Sequence, residues 1–117
     1  GRKGFHRLAQ ELWRGGKADL LCRAGESYLE SEYYVQARGL FRKAKDVEPG
    51  HERARFLYNV ASAFAFYYAN KYTMALRFID EARALAADSG WGEYESRLES
   101  LTEDIAREQR KRHREIL

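Results

Sequence analysis

Two stretches of this chain carry matching residues at a constant offset of 38 positions. The first reads Leu21-x-x-Ala24-Gly25-x-x-Tyr28, then Ala37-x-x-x-Phe41-x-x-Ala44, and then Pro49. The second reads Asn59-x-x-Ser62-Ala63-x-x-Phe66, then Ala75-x-x-x-Ile79-x-x-Ala82. A repeat of this length indicates one supersecondary unit used twice, because such a unit cannot bury its apolar face alone and stacks on a neighbour. We therefore expect the core to be built by stacking.

The units are predicted to be helical. Apolar residues recur at three- and four-residue spacing along the chain, and only one proline, Pro49, interrupts them. No segment alternates with period two for long enough to predict a strand. Turn signals at Gly15-Gly16, Glu48-Pro49-Gly50, Asn70-Lys71 and Asp88-Ser89-Gly90 divide the chain into about six helices. Their predicted ranges are 1–16, 17–31, 33–47, 51–69, 72–87 and 91–117.

The repeated residues have a mechanical role in an antiparallel helix hairpin. Two helices approach closely only where small side chains lie at the crossing, and larger side chains fill the space beside them. The small residues expected at the crossings are Gly25 and Ala37 in the first copy, and Ala63 and Ala75 in the second. The expected wedge residues are Tyr28, Phe41, Phe66 and Ile79, while Ala44 and Ala82 admit the next unit.

This pattern resembles the tetratricopeptide repeat, a helix–turn–helix unit of about 34 residues. The resemblance implies a single all-α domain, an antiparallel helix-hairpin stack of the α-solenoid type. Its parts would be a flanking helix (1–16), repeat 1 (18–51), repeat 2 with an extended first helix (52–89) and a capping helix (91–117). The second copy departs from the family in its four extra residues, in Ala87 where a proline is usual, and in Ser62 at a usually apolar place.

Composition excludes several classes of protein. The chain has 117 residues, of which 44% are hydrophobic and 14% aromatic, so it is neither disordered nor collagen-like. It has no apolar run long enough to span a membrane, and its lone Cys22 cannot form an internal disulfide. These features favour a reduced, cytoplasmic setting. Because the chain opens on Gly1 and its only methionine is Met74, we expect it to be part of a longer protein.

The net charge of +3 is unevenly distributed. Residues 1–17 carry +4, residues 18–105 carry −4 and residues 106–117 carry +3. The basic run at 110–114 is most simply a solvated helix end, since cations favour a helix C-terminus. A nuclear-import signal, a nucleic-acid contact and an acidic partner are the alternatives. The position of the basic excess at the ends of the chain argues against nucleic-acid binding.

The sequence contains no recognisable set of catalytic residues. His6, His51 and His113 lie far apart, without partners at metal-ligand spacing, and Cys22 has no neighbouring histidine to activate it. Gly15-Gly16 lacks the spacing of a phosphate-binding loop. We therefore expect no enzyme activity, no metal and no cofactor.

The most informative stretch is aromatic, with seven rings between Phe56 and Tyr72. In tetratricopeptide repeats the leading helices line a concave groove that binds peptide segments. Carrying that face over by alignment assigns twelve groove residues: Asp19, Cys22, Arg23, Glu26, Leu29, Glu30, Leu57, Val60, Ala61, Phe64, Tyr67 and Tyr68. One wall of this groove is acidic and the other aromatic.

The groove composition predicts a non-catalytic scaffold or adaptor that binds a protein partner. Family members that clamp a peptide's C-terminal carboxylate do so with a lysine and an asparagine, where this chain has Cys22 and Glu26. An apolar or amphipathic helix, with basic residues to meet Glu26 and Glu30, suits the groove better. Two alternatives stay open: self-association through the aromatic face, and terminal helices that fold back and fill the groove.

Overall fold

The computed structural model describes residues 2–86 and 92–116, with side chains apart from those of residues 2–6, 8, 11 and 12. These residues form five helices, and no strand occurs among them. The helices are α1 (Arg2–Glu30), α2 (Tyr34–Val47), α3 (Glu52–Tyr68), α4 (Tyr72–Ala86) and α5 (Gly92–Ile116). The predicted all-α class is confirmed.

The helices pack in chain order as antiparallel hairpins. α1 packs on α2, α2 on α3 and α3 on α4, while α5 lies against α4 and α3. The stack is elongated, measuring 72 × 27 × 20 Å, because α1 runs 29 residues, well beyond its contacts with α2. The core runs along the stack and is built from side chains of all five helices. None of the described helices is long and apolar enough to cross a membrane.

The predicted helix stop at Gly15-Gly16 is wrong. α1 continues through both glycines, so the described residues contain five helices where the sequence predicted about six. Glycine ends a helix when it adopts a left-handed conformation, and neither glycine has a positive φ. Glycine inside a helix costs roughly 1 kcal/mol relative to alanine, which weakens α1 here without breaking it.

The two hairpin turns are equivalent, residue for residue, at the offset of 38. Glu32 and Asn70 have φ values of 65° and 61°, the left-handed conformation that closes a helix. The amides of Glu32 and Tyr33 donate to the carbonyls of Leu29 and Tyr28, at 3.0 and 2.9 Å. The amides of Asn70 and Lys71 donate in the same way to Tyr67 and Phe66, at 3.0 and 2.9 Å. This is the Schellman arrangement, and it reverses the chain identically in both hairpins.

The crossing points of the two hairpins use the repeated small residues. Gly25 is buried, and a Cβ added to it would lie 2.5 Å from Cε1 of Phe41. At the equivalent positions of the second hairpin stand Ala63 and Ile79, both in the core. The remaining alanines of the repeat are fully buried as well: Ala37, Ala44, Ala75 and Ala82.

Two predicted wedge residues lie outside the core. Tyr28 is 44% exposed and meets the edge of Tyr33 at 6.1 Å between ring centroids. Phe66 is half-buried and stacks on Phe78 at 5.3 Å. Both positions directly precede a hairpin turn, where α1 and α3 reach the end of the stack. Pro49 is exposed in the connection between α2 and α3.

Ser62 has a polar partner inside the core. Ser62 is fully buried, and its hydroxyl accepts a hydrogen bond from Nε of Arg38 at 2.8 Å. The same guanidinium donates from Nη2 to the Tyr58 hydroxyl at 2.9 Å. It also lies over the rings of Tyr58 and Phe66, 5.2 and 5.3 Å from their centroids. The serine therefore supplies the acceptor that a half-buried arginine needs.

α5 closes one end of the stack. Its apolar stripe of Tyr94, Leu98, Leu101 and Ile105 is buried. The opposite side of the helix is polar, with Glu95, Glu99 and Glu103 exposed. A polar outer face is what a terminal element of a helical stack requires for solubility.

Candidate functional site

The predicted groove is lined by α1, α3 and α5, which lie side by side. Half of the twelve predicted residues form its floor and are buried: Cys22, Leu29, Leu57, Val60, Ala61 and Phe64. Four are exposed, namely Asp19, Arg23, Glu30 and Tyr68, while Glu26 and Tyr67 are half-buried. A partner can therefore reach only the two tyrosines, Arg23 and the carboxylates of Asp19, Glu26 and Glu30, which we call the acidic rim.

The acidic rim is matched by cations from the same chain. Nε of Arg53 donates to Oε1 of Glu26 at 2.8 Å, and its Nη2 donates to the same oxygen. Arg53 also reaches Glu93 of α5 at 3.4 Å. These contacts tie the first turn of α3 to both neighbouring helices. Glu26 is thus occupied, and a partner would have to displace Arg53 to use it.

His51 anchors the other end of the rim. It is the N-cap of α3, where its Nδ1 accepts the backbone N–H of Ala54 at 3.0 Å. Because Nδ1 is an acceptor, the proton of the neutral ring lies on Nε2, which donates to Oδ1 of Asp19 at 2.6 Å. One imidazole thus caps α3 and ties it to α1. No sequence pattern indicates this role, since Asp19 lies 32 residues away.

Arg97 bridges the groove across α3. Its Nη1 lies 3.5 Å from Oε1 of Glu30 on α1, and its guanidinium carbon lies 5.4 Å from the ring centroid of Phe64 on α3. A cation placed over an aromatic face is attracted by the ring quadrupole. The bridge covers Phe64, one of the predicted groove residues. α5 thus places one side chain over the middle section of the predicted groove.

Beyond Arg97 the groove ends in an open aromatic cleft. Tyr34 stacks on Phe64 at 4.8 Å and on Tyr68 at 5.6 Å, with interplanar angles of 11° and 10°. Tyr67 meets Tyr68 edge-on at 5.0 Å. Tyr68 is nevertheless 66% exposed. The adjoining hollow has a volume of about 410 Å³ and is lined by Glu32, Tyr33, Tyr34, Val35, Gln36, Ala65 and Tyr68; we call these residues the aromatic cleft.

The surroundings of the cleft are acidic. Burial, and then the charge of Glu32, raise the pKa of Tyr34 above its ordinary value. The pKa of Tyr67 is raised by burial and then by Asp104 and Glu108 of α5. Glu30 has a side chain that is 67% exposed despite its contact with Arg97. The cleft therefore favours a ligand that is apolar or aromatic and carries positive charge.

Cys22 has none of the properties of a nucleophile. Its side chain is 3% exposed. Burial, followed by the charge of Glu26, raises the pKa of the thiol to about 11. The thiolate is the reactive form, so this cysteine is inert near neutral pH. Within the described residues no group of three His, Cys, Asp or Glu side chains could hold a metal ion.

The basic run at the end of α5 is exposed. All five residues from Arg110 to Arg114 are open to solvent. The guanidinium of Arg112 lies over Tyr72 of α4, 4.7 Å from the ring centroid. Beside it a hollow of about 520 Å³ includes Lys71 and His113. The C-terminal end of α5 is therefore positively charged. It begins directly after Glu108, whose charge acts on Tyr67.

Sequence reasoning missed two members of the site, Tyr34 and Arg97. Tyr34 had a detectable signal, because Tyr72 follows it at the offset of 38, directly after the second turn. Tyr72 occupies the matching place, 5.7 Å from Tyr67. Arg97 had no such signal. Its contacts with Glu30 and Phe64 depend on how α5 lies across the stack.

Comparison with known proteins returned no relatives. No family model matches the chain. No curated protein matches it, and no solved structure does.

Proposed function

We propose that this chain is a non-catalytic protein-interaction module that binds a peptide or an amphipathic helix in the aromatic cleft. The observation that carries the proposal is the stack of Tyr34 on Tyr68, whose outer ring is 66% exposed. Tyrosine held rigid by its neighbours makes an effective binding anchor, since little side-chain entropy remains to be lost when a partner docks.

We also propose that the two hairpins are tetratricopeptide-type repeats. The support is the equivalence of the two hairpins at the offset of 38. It includes the left-handed residues Glu32 and Asn70 and the paired hydrogen bonds of their turns. It also includes the close approach of Gly25 to Phe41 at the first crossing. In such a stack the leading helices face a concave side. Of the cleft residues, Ala65 and Tyr68 belong to the leading helix α3, and the others lie in the turn after α1 and at the start of α2.

The expected partner is an apolar or aromatic segment that carries basic residues. Glu30 and Glu32 are exposed at the cleft, and Asp104 and Glu108 lie close to Tyr67. Glu26 contributes less than its sequence position suggested, since Arg53 already occupies it. A carboxylate-clamp mode is disfavoured because the position of its lysine is held by the buried Cys22.

The proposal that the module is non-catalytic rests on the chemistry of the cleft. Burial raises the pKa of Tyr34 in the cleft and of Tyr67 beside it, so these two hydroxyls stay protonated and are poor bases. The buried Cys22 thiol is protonated as well. The groups lining the cleft can stack and donate hydrogen bonds, which suits binding.

The test is a selection of short peptides from a random library against the purified chain, followed by affinity measurements on variants. We expect the selected peptides to be enriched in aromatic and basic residues. Tyr68→Ala should weaken their binding at least tenfold while the helical circular dichroism signal is unchanged. Trp13→Ala is the matched control, because Trp13 is also 66% exposed but lies far from the cleft on α1.

Peptides that bind the wild-type chain and the Tyr68→Ala variant equally well would overturn the cleft as the binding site. A selection that yields acidic peptides would overturn the proposed partner chemistry. Loss of binding in both Tyr68→Ala and Trp13→Ala would place the ligand elsewhere on the molecule.

A further inference from the structure

α1 carries a second apolar stripe on the side that faces away from the core. Its buried stripe runs through Ala18, Cys22, Gly25 and Leu29. The second stripe, on the opposite side, consists of Trp13, Gly16, Leu20 and Ala24, all of them exposed. Their spacing of three, four and four residues places them on one face of the helix. Trp13 and Leu20 are each 66% exposed. We call these four residues the outer stripe.

The outer stripe is not flat. A hollow of about 530 Å³ is lined by Trp13, Gly16, Lys17, Asp19, Leu20 and Arg23. A Cβ placed on Gly16 would meet nothing within 4 Å, so the helix surface dips between Trp13 and Leu20. A depression bordered by two large apolar side chains accepts a side chain from another helix, as in ridges-into-grooves packing.

The two ends of the stack differ in character. The outer side of α5 carries the exposed carboxylates of Glu95, Glu99 and Glu103. A head-to-tail contact would press these three carboxylates against the apolar Trp13 and Leu20 of another copy, where Lys17 and Arg23 are the only cations that line the hollow, so the loss of their hydration would be costly. A head-to-tail array is therefore disfavoured. An arrangement in which the same surface meets itself avoids that cost, and such isologous contacts close with two-fold symmetry.

We propose that the outer stripe is the interface of a homodimer, in which the α1 helices of two copies pair antiparallel about Leu20. In this register Leu20 opposes its own counterpart, and Gly16 opposes Ala24. Small residues at that position allow the two backbones to approach closely. Trp13 then lies beside Ser27 and Tyr28, where the exposed part of the Tyr28 ring extends the apolar surface.

The charges of α1 favour the antiparallel direction. Residues 2–17 carry a net charge of +4, whereas residues 18–30 carry −2. Antiparallel pairing sets the basic half of each helix beside the acidic half of the other, and parallel pairing would set the basic halves side by side. Asp19 and Arg23 lie on one flank of the stripe, close to Leu20, and both are exposed. In a two-fold antiparallel pair, each flank of one outer stripe lies beside the same flank of the other copy's stripe. This brings Asp19 of one copy towards Arg23 of the other.

Equilibrium sedimentation of the wild-type chain tests the dimer. We expect a species of twice the chain mass at concentrations of tens of micromolar. Leu20→Glu should raise the dissociation constant at least tenfold, and Trp13→Ala several-fold, with helicity retained because both side chains are exposed. Tyr68→Ala is the control and should leave the dimer intact. A monomeric wild-type chain at high concentration, a series of larger polymers, or a dimer indifferent to Leu20→Glu would overturn the proposal.

Disulfide trapping tests the direction of pairing, in a Cys22→Ser background that removes the only native cysteine. Leu20→Cys should cross-link to itself on oxidation, since a disulfide requires Cα atoms within about 7 Å. Ala9→Cys alone should not cross-link, whereas an equimolar mixture of Ala9→Cys and Ser31→Cys should. Self-cross-linking of Ala9→Cys would show parallel helices and overturn the antiparallel register.

Discussion

Gly25 packs directly beneath the ring of Phe41, and a Cβ on Gly25 would approach Cε1, Cδ1 and Cζ of that ring to 2.5, 2.8 and 2.9 Å. The second hairpin combines a larger residue, Ala63, with a smaller partner, Ile79, at the equivalent positions. The two side chains at the crossing therefore fill a similar total volume in both hairpins, although both residues differ between the hairpins. The crossing is the point at which the two helices of a hairpin fix their distance.

We expect Gly25→Ala to destabilise the fold by about 1–3 kcal/mol, the usual cost of forcing extra atoms into a packed core. Phe41→Leu in the same chain should restore part of that loss by making room. Gly39→Ala is the matched control. Its added Cβ meets nothing, so the better helix propensity should stabilise α2 by about 1 kcal/mol. Urea unfolding followed by circular dichroism measures all three variants. Equal effects at Gly25 and Gly39 would contradict the role of the crossing.

We expect Glu32→Gly to stabilise the protein by roughly 1 kcal/mol. Glu32 has a φ of 65°, a left-handed conformation that costs about 1–2 kcal/mol for a residue with a Cβ. Glycine relieves this strain, although it loses more chain entropy on folding. Thermal unfolding of Glu32→Gly and Glu32→Ala checks the explanation. Only the glycine variant should gain stability, and an equal gain with alanine would point to removal of the charge.

We expect Arg38→Lys to destabilise the fold by about 1–2 kcal/mol. Lysine cannot donate at once to Ser62 and Tyr58, and it leaves the buried serine hydroxyl without its donor. Arg42→Lys, on the exposed side of the same helix, should be neutral. The double variant Arg38→Leu/Ser62→Ala should lie closer to the wild type than Arg38→Leu does, because both polar partners are removed together. With the single variant Ser62→Ala, chemical denaturation of the wild type, Arg38→Leu and the double variant completes a double-mutant cycle, and purely additive effects would count against the contact.

Stability should fall at alkaline pH because of two buried groups. The folded state holds the pKa of Cys22 at about 11 and that of Tyr94 at about 12, in both cases chiefly through burial. The unfolded chain releases these protons near their ordinary pKa values of 9.0 and 10.0. The stability that the folded state gains by keeping these two groups protonated is therefore fully present below pH 9. It is lost as the pH rises from 9 towards 12. For Cys22 this amounts to about 1 kcal/mol at pH 10.

Unfolding free energies at pH 8 and pH 10 check this behaviour. Cys22→Ala and Tyr94→Phe should each lose less stability over that interval than the wild-type chain does. Gly39→Ala is the control, since it changes the stability of α2 without removing a titratable group. A wild-type profile that the Cys22 and Tyr94 replacements do not alter would show that other groups cause the loss.

The helices were largely predictable, and so were the turns at Asn70 and Pro49. The predicted ends of the second hairpin's helices agree with α3 and α4 to within one residue over the described range. These features are local, since periodicity, turn residues and the constant offset are all readable along the chain. Gly15-Gly16 misled the prediction because a glycine pair only weakens a helix, and nothing at that position reverses the chain.

The candidate site was predictable only in part. The sequence assigned Phe64, Tyr67 and Tyr68 to one face of α3, but it could not show that Arg97 of α5 covers Phe64. It also assigned Glu26 to a partner, whereas Arg53, 27 residues further on, occupies that carboxylate. Pairings between residues so far apart depend on how neighbouring helices lie across one another, and no local pattern encodes that geometry.

By itself, the sequence determined the helical class, the stacking order and the identity of the crossing residues, because helix periodicity and side-chain volume are properties of short segments. Only the tertiary structure decided which charges of the groove are already paired, which aromatic rings stay open to solvent and which side of α1 is left exposed. Those outcomes are set by contacts between helices distant in the chain, where a shift of one turn would exchange one neighbour for another.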